Sequence, residues 1–375
     1  MPSDAHRSLP LRAAVVGCGD ISAQHAEAIA AVPEAVLAAV VDTDGARREA
    51  ARRRYGVPGY ASLGDLLAAG GIDVVHLCTP HSEHAGQAVA ALAAGVHVLT
   101  EKPLAHTLEG AEAVVAAARA VRGRASLGVC FQNRYNAPVR ALAEVLASGA
   151  AGRILGAHAT VFWHRGPEYY AARPWRGTWA GSGGGLLMNQ AIHTLDLLQW
   201  LLGPARVVAG SASNLSLGGV IEVEDTAQIL LEHAADGMPQ AGMAHDGVGR
   251  APGPGRAPGA GQPVRSVFFA TNANGVNAPV AIEIETEEAR LSLCGDLTVR
   301  WADGRIETVE EAGALPGGRS YWGASHRLLI ADFYRSVAAG VPFWIDAEAA
   351  APSLRLIKDL YARSYALGPW ASPVA

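Results

Sequence analysis

The segment "LRAAVVGCGDISAQHAEAI" (residues 11–29) carries the strongest fold signal in the chain. An apolar run leads into Gly17 and Gly19 and then into an alanine-rich helical stretch. Ser22 stands where a third glycine is usual, and a residue this small still lets a helix pack closely on a strand. Strand, glycine turn and helix in this order are typical of a Rossmann unit, whose helix N-terminus faces a pyrophosphate. The alternative is the same glycine turn without a ligand.

The second apolar run ends at Asp42, about 20 residues after the glycine turn. A carboxylate at that place binds ribose hydroxyls and repels a 2′-phosphate, so NAD is predicted as cofactor and NADP is less favoured. Arginines between positions 47 and 54 follow on the next helical stretch and weaken this preference.

The pattern of the chain changes at about its middle. Up to about residue 130, short apolar runs alternate with alanine-rich stretches, which predicts a parallel sheet covered on both faces. After about residue 150, strand-like runs follow one another without helices between most of them, which predicts an antiparallel sheet. We therefore predict an α/β protein. A Rossmann NAD-binding domain spans residues 1–131, and an α+β domain with a large, mostly antiparallel open sheet spans 132–375, with closing helices near 324–339 and 346–366.

One segment does not fit either pattern. Residues 234–263 are rich in Gly, Pro and Ala and separate two strand-like runs that a tight turn would join. The segment has too little apolar surface to order itself. We predict a disordered insertion; a lid is the alternative.

Composition excludes several classes of function. Half of the 375 residues are apolar and the formal net charge is −5, so no basic surface for nucleic acid or anionic membrane is expected. No run approaches the roughly 18 apolar residues of a membrane helix. The four cysteines are scattered, which predicts reduced packing residues and no metal site. The first residues lack an apolar signal-peptide region, and a cytoplasmic protein is expected.

A lysine lies in "TEKP" (residues 100–103), where a predicted strand of the parallel sheet ends. Ligands of a Rossmann sheet bind beyond the carboxyl ends of its strands, so Lys102 is placed on the nicotinamide side of the crevice. Pro103 keeps Lys102 extended, and a fixed ammonium stabilises the alkoxide-like charge of hydride transfer. The alternative is a surface lysine paired with Glu101.

A histidine follows the glycine run of "GSGGGLLMNQAIHTLDLLQWLLG" (residues 181–203). Asn189 and His193 are four residues apart on a predicted amphipathic helix and share a face. A histidine in this setting is a candidate base because it titrates in the useful range. The alternative is a structural histidine on an apolar helix.

Taken together, "GCGDIS", "CTPHSEH", "TEKP" and "GGGLLMNQAIHTLDLLQWLLG", in this order and spacing, make the chain resemble the Gfo/Idh/MocA family of oxidoreductases. The resemblance implies a Rossmann domain and an open sheet whose face mediates dimers or tetramers. It also implies that Lys102 acts at the reacting carbon and His193 as acid/base. Many members carry an aspartate where this chain has Asn189, so His193 is expected to be a weaker base. The predicted catalytic residues are thus Lys102, His193 and Asn189.

The glycine turn, the strand ends and the resemblance together define a cofactor site. Its predicted residues are Gly17, Cys18, Gly19, Asp20, Ile21, Asp42, Thr79, Pro80, His84, Glu101, Lys102 and Gln132.

Aromatic and arginine side chains crowd the segment before the catalytic helix, residues 161–185. Aromatic rings pack on the C–H faces of sugars, and arginines bind hydroxyls, carboxylates or phosphates. The alternative is that the tryptophans are core and the arginines surface. Arg134, next to the last Rossmann strand, is also expected to reach the site. The predicted substrate residues are Tyr135, Trp163, Arg165, Trp175, Arg176, Asn189 and His193.

These features predict hydride exchange between a nicotinamide cofactor and a secondary alcohol of a sugar, glycoside, cyclitol or sugar acid. The resemblance leaves two alternatives: glycoside cleavage by transient oxidation with retained NAD, and a non-catalytic regulator that responds to NAD. The protein is expected to be a homodimer or homotetramer through the C-terminal sheet.

Overall fold

The structure, a computed structural model, describes residues 10–234, 263–311 and 325–366. Its first sheet is parallel throughout, with strand order β3-β2-β1-β4-β5-β6. The central strands β4 and β5 are buried at every residue, because helices cover both faces of the sheet. The strands are β1 (Leu11–Val16), β2 (Ala35–Val41), β3 (Gly59–Tyr60), β4 (Val74–Leu77), β5 (His97–Thr100) and β6 (Leu127–Val129).

Five helices connect these strands, and side-chain caps start three of them. Asp44, Ser62 and Thr107 each accept a backbone N–H from the first helical turn that follows, as N-cap residues do. The helices are α1 (Ser22–Ala30), α2 (Gly45–Tyr55), α3 (Leu63–Ala69), α4 (His81–Ala93) and α5 (Leu108–Ala120).

The second sheet has eight strands in the order β14-β13-β12-β11-β7-β10-β9-β8. Only β7 and β10 pair in parallel, so the prediction of a mostly antiparallel open sheet is confirmed. Buried and exposed residues alternate along β9 and β10, so one face packs on the core. The strands are β7 (Ile154–Phe162), β8 (Ala205–Ser213), β9 (Thr226–His233), β10 (Val264–Thr271), β11 (Ala281–Thr286), β12 (Ala289–Cys294), β13 (Asp296–Trp301) and β14 (Ile306–Val309).

Helices between and after these strands tie the two sheets together. A 3₁₀ turn (Gln132–Tyr135) precedes α6 (Ala137–Ser148), and α7 (Pro167–Ala171), a second 3₁₀ turn (Pro174–Gly177) and α8 (Trp179–Ser182) follow β7. A π-helical turn (Leu187–Ala191) opens α9 (Ile192–Leu202), and α10 (Ser325–Ala338) and α11 (Ala347–Ala366) end the described chain. Because α10 packs on α1 while α11 packs on both α5 and β8, the last helices hold both sheets in one molecule.

Strands β9 and β10 are antiparallel neighbours, with His233 directly opposite Val264. The predicted insertion therefore begins and ends at adjacent points of the sheet; its residues 235–262 lie outside the described part of the chain. None of the four cysteines, all of which are described, forms a disulfide. Among the described residues, no helix is both long and apolar enough to span a membrane.

Candidate active site

A cavity of ≈ 830 Å³ opens at the carboxyl ends of β1, β2, β4 and β5, and residues from both sheet regions line it. This volume suits a cofactor or substrate-sized ligand. The sequence-predicted residues that line the cavity are Gly17, Gly19, Asp20, Ile21, Asp42, Thr79, Pro80, His84, Glu101, Lys102, Gln132, Trp163, Arg165, Trp175, Arg176, Asn189 and His193.

The glycine turn is shaped for close approach of a ligand. Gly17 has φ +91°, and a Cβ there would lie 2.7 Å from the carbonyl oxygen of Cys78, so only glycine fits. The amides of Gly19, Asp20 and Ile21, just before α1, have no hydrogen-bond acceptor among the described residues. Free amides at a helix N-terminus are the donors that a pyrophosphate requires, so this turn fits the dinucleotide.

Asp42 is buried at the end of β2 and is surrounded by N–H donors. It accepts the amides of Cys18 and Asp44, each at 2.8 Å, and two bonds of 3.2 Å from the guanidinium of Arg47. The exposed Arg47 side chain thus covers the carboxylate at the predicted ribose position. A dinucleotide must displace or share this contact.

Lys102 reaches from the end of β5 to the catalytic helix. Its Nζ donates a 2.6 Å hydrogen bond to the main-chain oxygen of Asn189, and its peptide bond to Pro103 is cis. The alternative of a surface lysine paired with Glu101 does not describe this arrangement, because the side chain lines the cavity and bonds to Asn189 across it. The ammonium is therefore held at the turn that leads into the helix of His193.

Asn189 and His193 both line the cavity, but their link differs from the expected one. The helix turn that contains Asn189 is π-helical rather than α-helical, and π turns are frequent at functional sites. It is the carbonyl of Asn189 that binds Lys102, whereas no hydrogen bond joins its side chain to His193. The structure thus connects Lys102 to the turn before the catalytic helix through a backbone carbonyl.

His193 is half-buried, and its Nδ1 has no hydrogen-bond partner among the described residues. Burial lowers its pKa well below the usual range, and the nearby Lys102 ammonium lowers it further, while the carboxylate of Glu101 opposes the shift. The imidazole is therefore neutral near pH 7 and able to accept a proton. Its edge packs on Phe131, with ring centroids 5.9 Å apart.

The glycine run before this helix is fixed by a buried carboxylate. Glu224 accepts the amides of Gly185 and Leu187, each at 2.8 Å, and the Tyr361 hydroxyl at 2.7 Å. A Cβ at Gly185 would lie 2.0 Å from the Glu224 carbonyl oxygen. The glycines therefore allow the chain to pass close to Glu224, just before β9. This contact sets where the catalytic helix begins.

Aromatic rings and guanidinium groups form one wall of the cavity. Arg176 stacks on Tyr169 and Trp175, and Arg165 stacks on Trp163 and Tyr169, at 4.6–5.6 Å from guanidinium carbon to ring centroid. The Nε of Arg176 is buried and has no hydrogen-bond partner among the described residues. A buried donor without an acceptor in a cavity wall is suited to an oxygen of a ligand.

The same wall touches the glycine turn. Asp20 of the glycine turn forms ion pairs with Arg173 at 2.7 Å and with Arg176 at 3.4 Å. These pairs connect the second 3₁₀ turn and the residue before it to the cofactor side of the cavity. The predicted substrate and cofactor residues are thereby parts of one continuous site.

Two residues that were expected at the site are held by buried partners away from the cavity. Tyr135 is 5% exposed and donates to Asp332 at 2.6 Å, so packing and a buried acceptor hold it away from the cavity. Arg134 forms a buried bidentate pair with Asp196. Cys18 lies between the cavity-lining residues Gly17 and Gly19, and its own amide donates to Asp42.

Other cavity residues were not predicted from sequence. Gln190 follows Asn189 and donates to the Tyr169 hydroxyl at 3.0 Å, and His81 donates to the Ser182 oxygen while it packs edge-on against Trp175. Because Gln190 directly follows Asn189 in the sequence, it could have been predicted as a site residue. His326 comes from α10, far along the chain, and no local pattern marks it.

Comparison with known proteins agrees with this arrangement. A family model described as "Oxidoreductase family, NAD-binding Rossmann fold" matches residues 11–129, and one for the "GFO/IDH/MocA C-terminal domain" matches residues 139–245. The chain belongs to the Gfo/Idh/MocA family. The resemblance expected from the sequence motifs is confirmed.

Several known dehydrogenases are similar to the chain. The solved WlbA dehydrogenase from Bordetella pertussis, in complex with NADH and UDP-GlcNAcA, is 30% identical, with 96% of this chain and 97% of that chain covered and a TM-score of 0.76. The inositol 2-dehydrogenase of Leifsonia xyli is 34% identical over 52% of this chain and 54% of its own length. The D-apiose dehydrogenase of Paraburkholderia graminis is 29% identical over 59% and 57%. The chain thus spans about half the length of the curated relatives that it matches.

Proposed function

We propose that this Gfo/Idh/MocA protein transfers hydride between a nicotinamide cofactor and a secondary alcohol of a carbohydrate. The observation that carries the proposal is one cavity that joins free glycine-turn amides, the fixed ammonium of Lys102 and the neutral imidazole of His193. The activities of inositol 2-dehydrogenase and D-apiose dehydrogenase, both relatives, support it.

In the oxidation direction, each residue has a defined task. His193, whose lowered pKa leaves the ring neutral near pH 7, accepts the hydroxyl proton. Lys102 stabilises the negative charge that develops on the substrate oxygen, and the Asn189 carbonyl holds its ammonium in place. The bound nicotinamide supplies the hydride acceptor. Reduction follows the same path in reverse.

We infer NAD rather than NADP as the preferred cofactor. Asp42, buried at the end of β2, offers a carboxylate where the ribose hydroxyls would lie. Arg47, which pairs with it, is the group that could favour a 2′-phosphate instead. WlbA from Bordetella pertussis was solved with NADH, which supports the choice of NAD.

We infer that the carbohydrate carries an anionic group. Arg176 presents an unpartnered Nε in the cavity wall, and Arg165 lies beside it on the ring of Tyr169. Stacking on aromatic rings holds both guanidinium planes for bidentate contact with a carboxylate or phosphate. The UDP-GlcNAcA bound to WlbA is consistent with this class.

We also propose that two copies associate through the open face of the second sheet. Leu155 and Val267 are exposed large apolar residues on β7 and β10, and the rings of Phe162 and Phe269 on these strands lie 5.5 Å apart. Exposed apolar side chains on one sheet face are typical of an interaction surface. Light scattering should give a dimer or larger species, and Val267→Asp should reduce it to monomer.

The experiment that tests the function is a panel of sugars, sugar acids, nucleotide sugars and cyclitols with NAD⁺ and NADP⁺, followed by absorbance of the reduced cofactor. We expect turnover with NAD⁺ and an acidic carbohydrate. Tightly retained NAD without net reduction, together with glycoside cleavage, would favour the transient-oxidation alternative. Cofactor binding without any turnover would favour a regulator.

A further inference from the structure

The π-helical turn that receives Lys102 makes a second contact in the next residue. The main-chain oxygen of Asn189 accepts the Lys102 ammonium at 2.6 Å, and the side chain of Gln190 donates to the hydroxyl of Tyr169 at 3.0 Å. Gln190 is 7% exposed, and both Gln190 and Tyr169 line the cavity. Consecutive residues of one turn therefore hold the proposed catalytic lysine and a ring of the aromatic wall.

Tyr169 is the ring that the two arginines of this wall share. The guanidinium carbon of Arg176 lies 4.6 Å from its centroid and that of Arg165 lies 5.2 Å from it. Attraction between a cation and an aromatic face depends on the position of the ring. A shift of the Tyr169 ring would therefore displace both guanidinium groups.

A buried asparagine closes this network. Asn272 follows β10 and is 1% exposed; its side-chain amide donates to the side-chain oxygen of Gln190 at 3.4 Å. Its main-chain oxygen accepts the amide of Arg165 at 3.1 Å. The Gln190 side chain is thus bonded at both ends of its amide group, which leaves it little freedom to turn.

The alternative is that Gln190 only satisfies buried polar groups. Burial requires that its amide be hydrogen-bonded, but it does not require that the partner be the one ring on which both arginines stack. The choice of partner, together with the contact of the preceding residue with Lys102, links the turn to the ligand-binding wall.

We propose that Gln190 is the positioning residue of this wall and a determinant of specificity for an anionic carbohydrate. Through Tyr169 it holds Arg165 and Arg176 at a fixed place relative to the Lys102 ammonium. A substrate must then present its anionic group to the arginines and its reacting hydroxyl to the lysine at once. The role in specificity rests on the proposed function, whereas the tether between Gln190 and Tyr169 does not.

Labelling of the arginines tests the tether in the full-length protein, without substrate or cofactor. Phenylglyoxal modification followed by peptide mass spectrometry gives a rate for each arginine. Tyr169→Phe keeps the ring but removes its bond to Gln190. Arg165 and Arg176 should then react about 2–10-fold faster, the range that loss of one hydrogen bond allows. Arg305, which does not line the cavity, is the internal reference and should keep its rate.

Tyr170→Phe is the matched control. Tyr170 is the next residue of α7, does not line the cavity, and its hydroxyl accepts the side-chain amide of Asn272 at 3.2 Å. This substitution should leave the rates of both cavity arginines unchanged. Gln190→Leu removes the tether from its other end and should act as Tyr169→Phe does. The double variant should show no further increase, because both substitutions remove the same hydrogen bond.

The role in specificity is measured with the best acidic sugar of the panel and its uncharged amide. Tyr169→Phe should raise KM for the acid about 2–10-fold, since the groups that bind its charge are no longer held in place. The kcat for the acid and the KM for the amide should change little. A rise of the same size for both compounds would contradict the role in specificity.

Unchanged labelling of Arg165 and Arg176 in folded Tyr169→Phe protein would overturn the proposal. Equal acceleration by Tyr170→Phe would also overturn it, because it would indicate a general loosening of α7. Absence of turnover with the whole carbohydrate panel would refute the proposed function but would leave the labelling result standing. The two failures are thus distinguishable.

Discussion

At the scale of single residues, the site depends on where Lys102 is held. Its ammonium bonds the carbonyl of Asn189, whose turn leads into the helix of His193. We expect Lys102→Met to lower kcat by about 10²–10³-fold, because an electrostatic stabiliser of the transition state is lost. Cofactor affinity should change by no more than a few-fold. Steady-state kinetics with the best substrate of the panel, and a fluorescence titration with NADH, measure the two quantities.

The control for this substitution is Arg305→Met, which removes an exposed cation from the turn between β13 and β14 that does not line the cavity. It should leave kcat unchanged. Near-normal kcat in folded Lys102→Met protein would remove Lys102 from the mechanism.

The proposed preference for NAD also depends on single residues. Asp42→Ala should lower kcat/KM for NAD⁺ by about 10–100-fold, the value of hydrogen bonds to a charged group. The kcat/KM for NADP⁺ should fall less, because the substitution also removes a carboxylate that repels the 2′-phosphate. Glu49→Ala, on the exposed surface of α2, makes the same charge change and should leave both values unaltered. A wild-type preference for NADP⁺ would show that Arg47 outweighs Asp42.

At the scale of elements, local pattern was a good guide to strands and helices. The apolar runs before Gly17 and Asp42 became β1 and β2, and the glycine turn leads into α1 as the motif requires. Local pattern could not place Tyr135 or Arg134, because their partners Asp332 and Asp196 are distant in sequence. It also did not predict the π-helical turn, in which the main-chain carbonyl of Asn189, not its side chain, accepts the hydrogen bond of Lys102.

The segment between β9 and β10 gives a prediction at this scale. Because His233 and Val264 are directly opposed, a short glycine-containing turn can replace residues 236–262 without moving either strand. Shortening a long loop changes the closure free energy by only about 0.6 kcal/mol per halving, so stability and kcat/KM should change little. Urea denaturation and steady-state kinetics measure both. A large fall in kcat/KM with unchanged stability would identify the segment as a lid.

At the scale of the whole molecule, buried histidines couple stability to pH. Burial lowers the pKa of His76 and of His81 well below the usual range. In the unfolded chain both titrate near pH 6.5, so the unfolded state gains protons that the folded state does not bind. The free energy of unfolding is therefore greatest above pH 6.5 and falls as the pH drops below it, by about 1.4 kcal/mol per histidine between pH 7.5 and 5.5.

Urea denaturation at pH 7.5 and 5.5 measures this loss. The comparison stops at pH 5.5 because burial raises the pKa of Glu224. The folded state therefore gains a proton at this group in acid, which increases the free energy of unfolding and opposes the effect of the histidines. His81→Asn should reduce the difference in the free energy of unfolding between the two pH values by about 1.4 kcal/mol, the contribution of one histidine. Equal free energies of unfolding at both pH values would contradict the account of the buried histidines.

The central claim is hydride transfer from a carbohydrate carbon to a nicotinamide cofactor in the cavity lined by Lys102 and His193. The most direct measurement uses the best substrate of the panel with deuterium at the oxidised carbon, and mass spectrometry of the reduced cofactor that is released. The account predicts that nearly every molecule of NADH carries one deuterium, and that the Lys102→Met protein forms it about 10²–10³-fold more slowly. NADH without deuterium, or substrate conversion with no labelled NADH released, would contradict it.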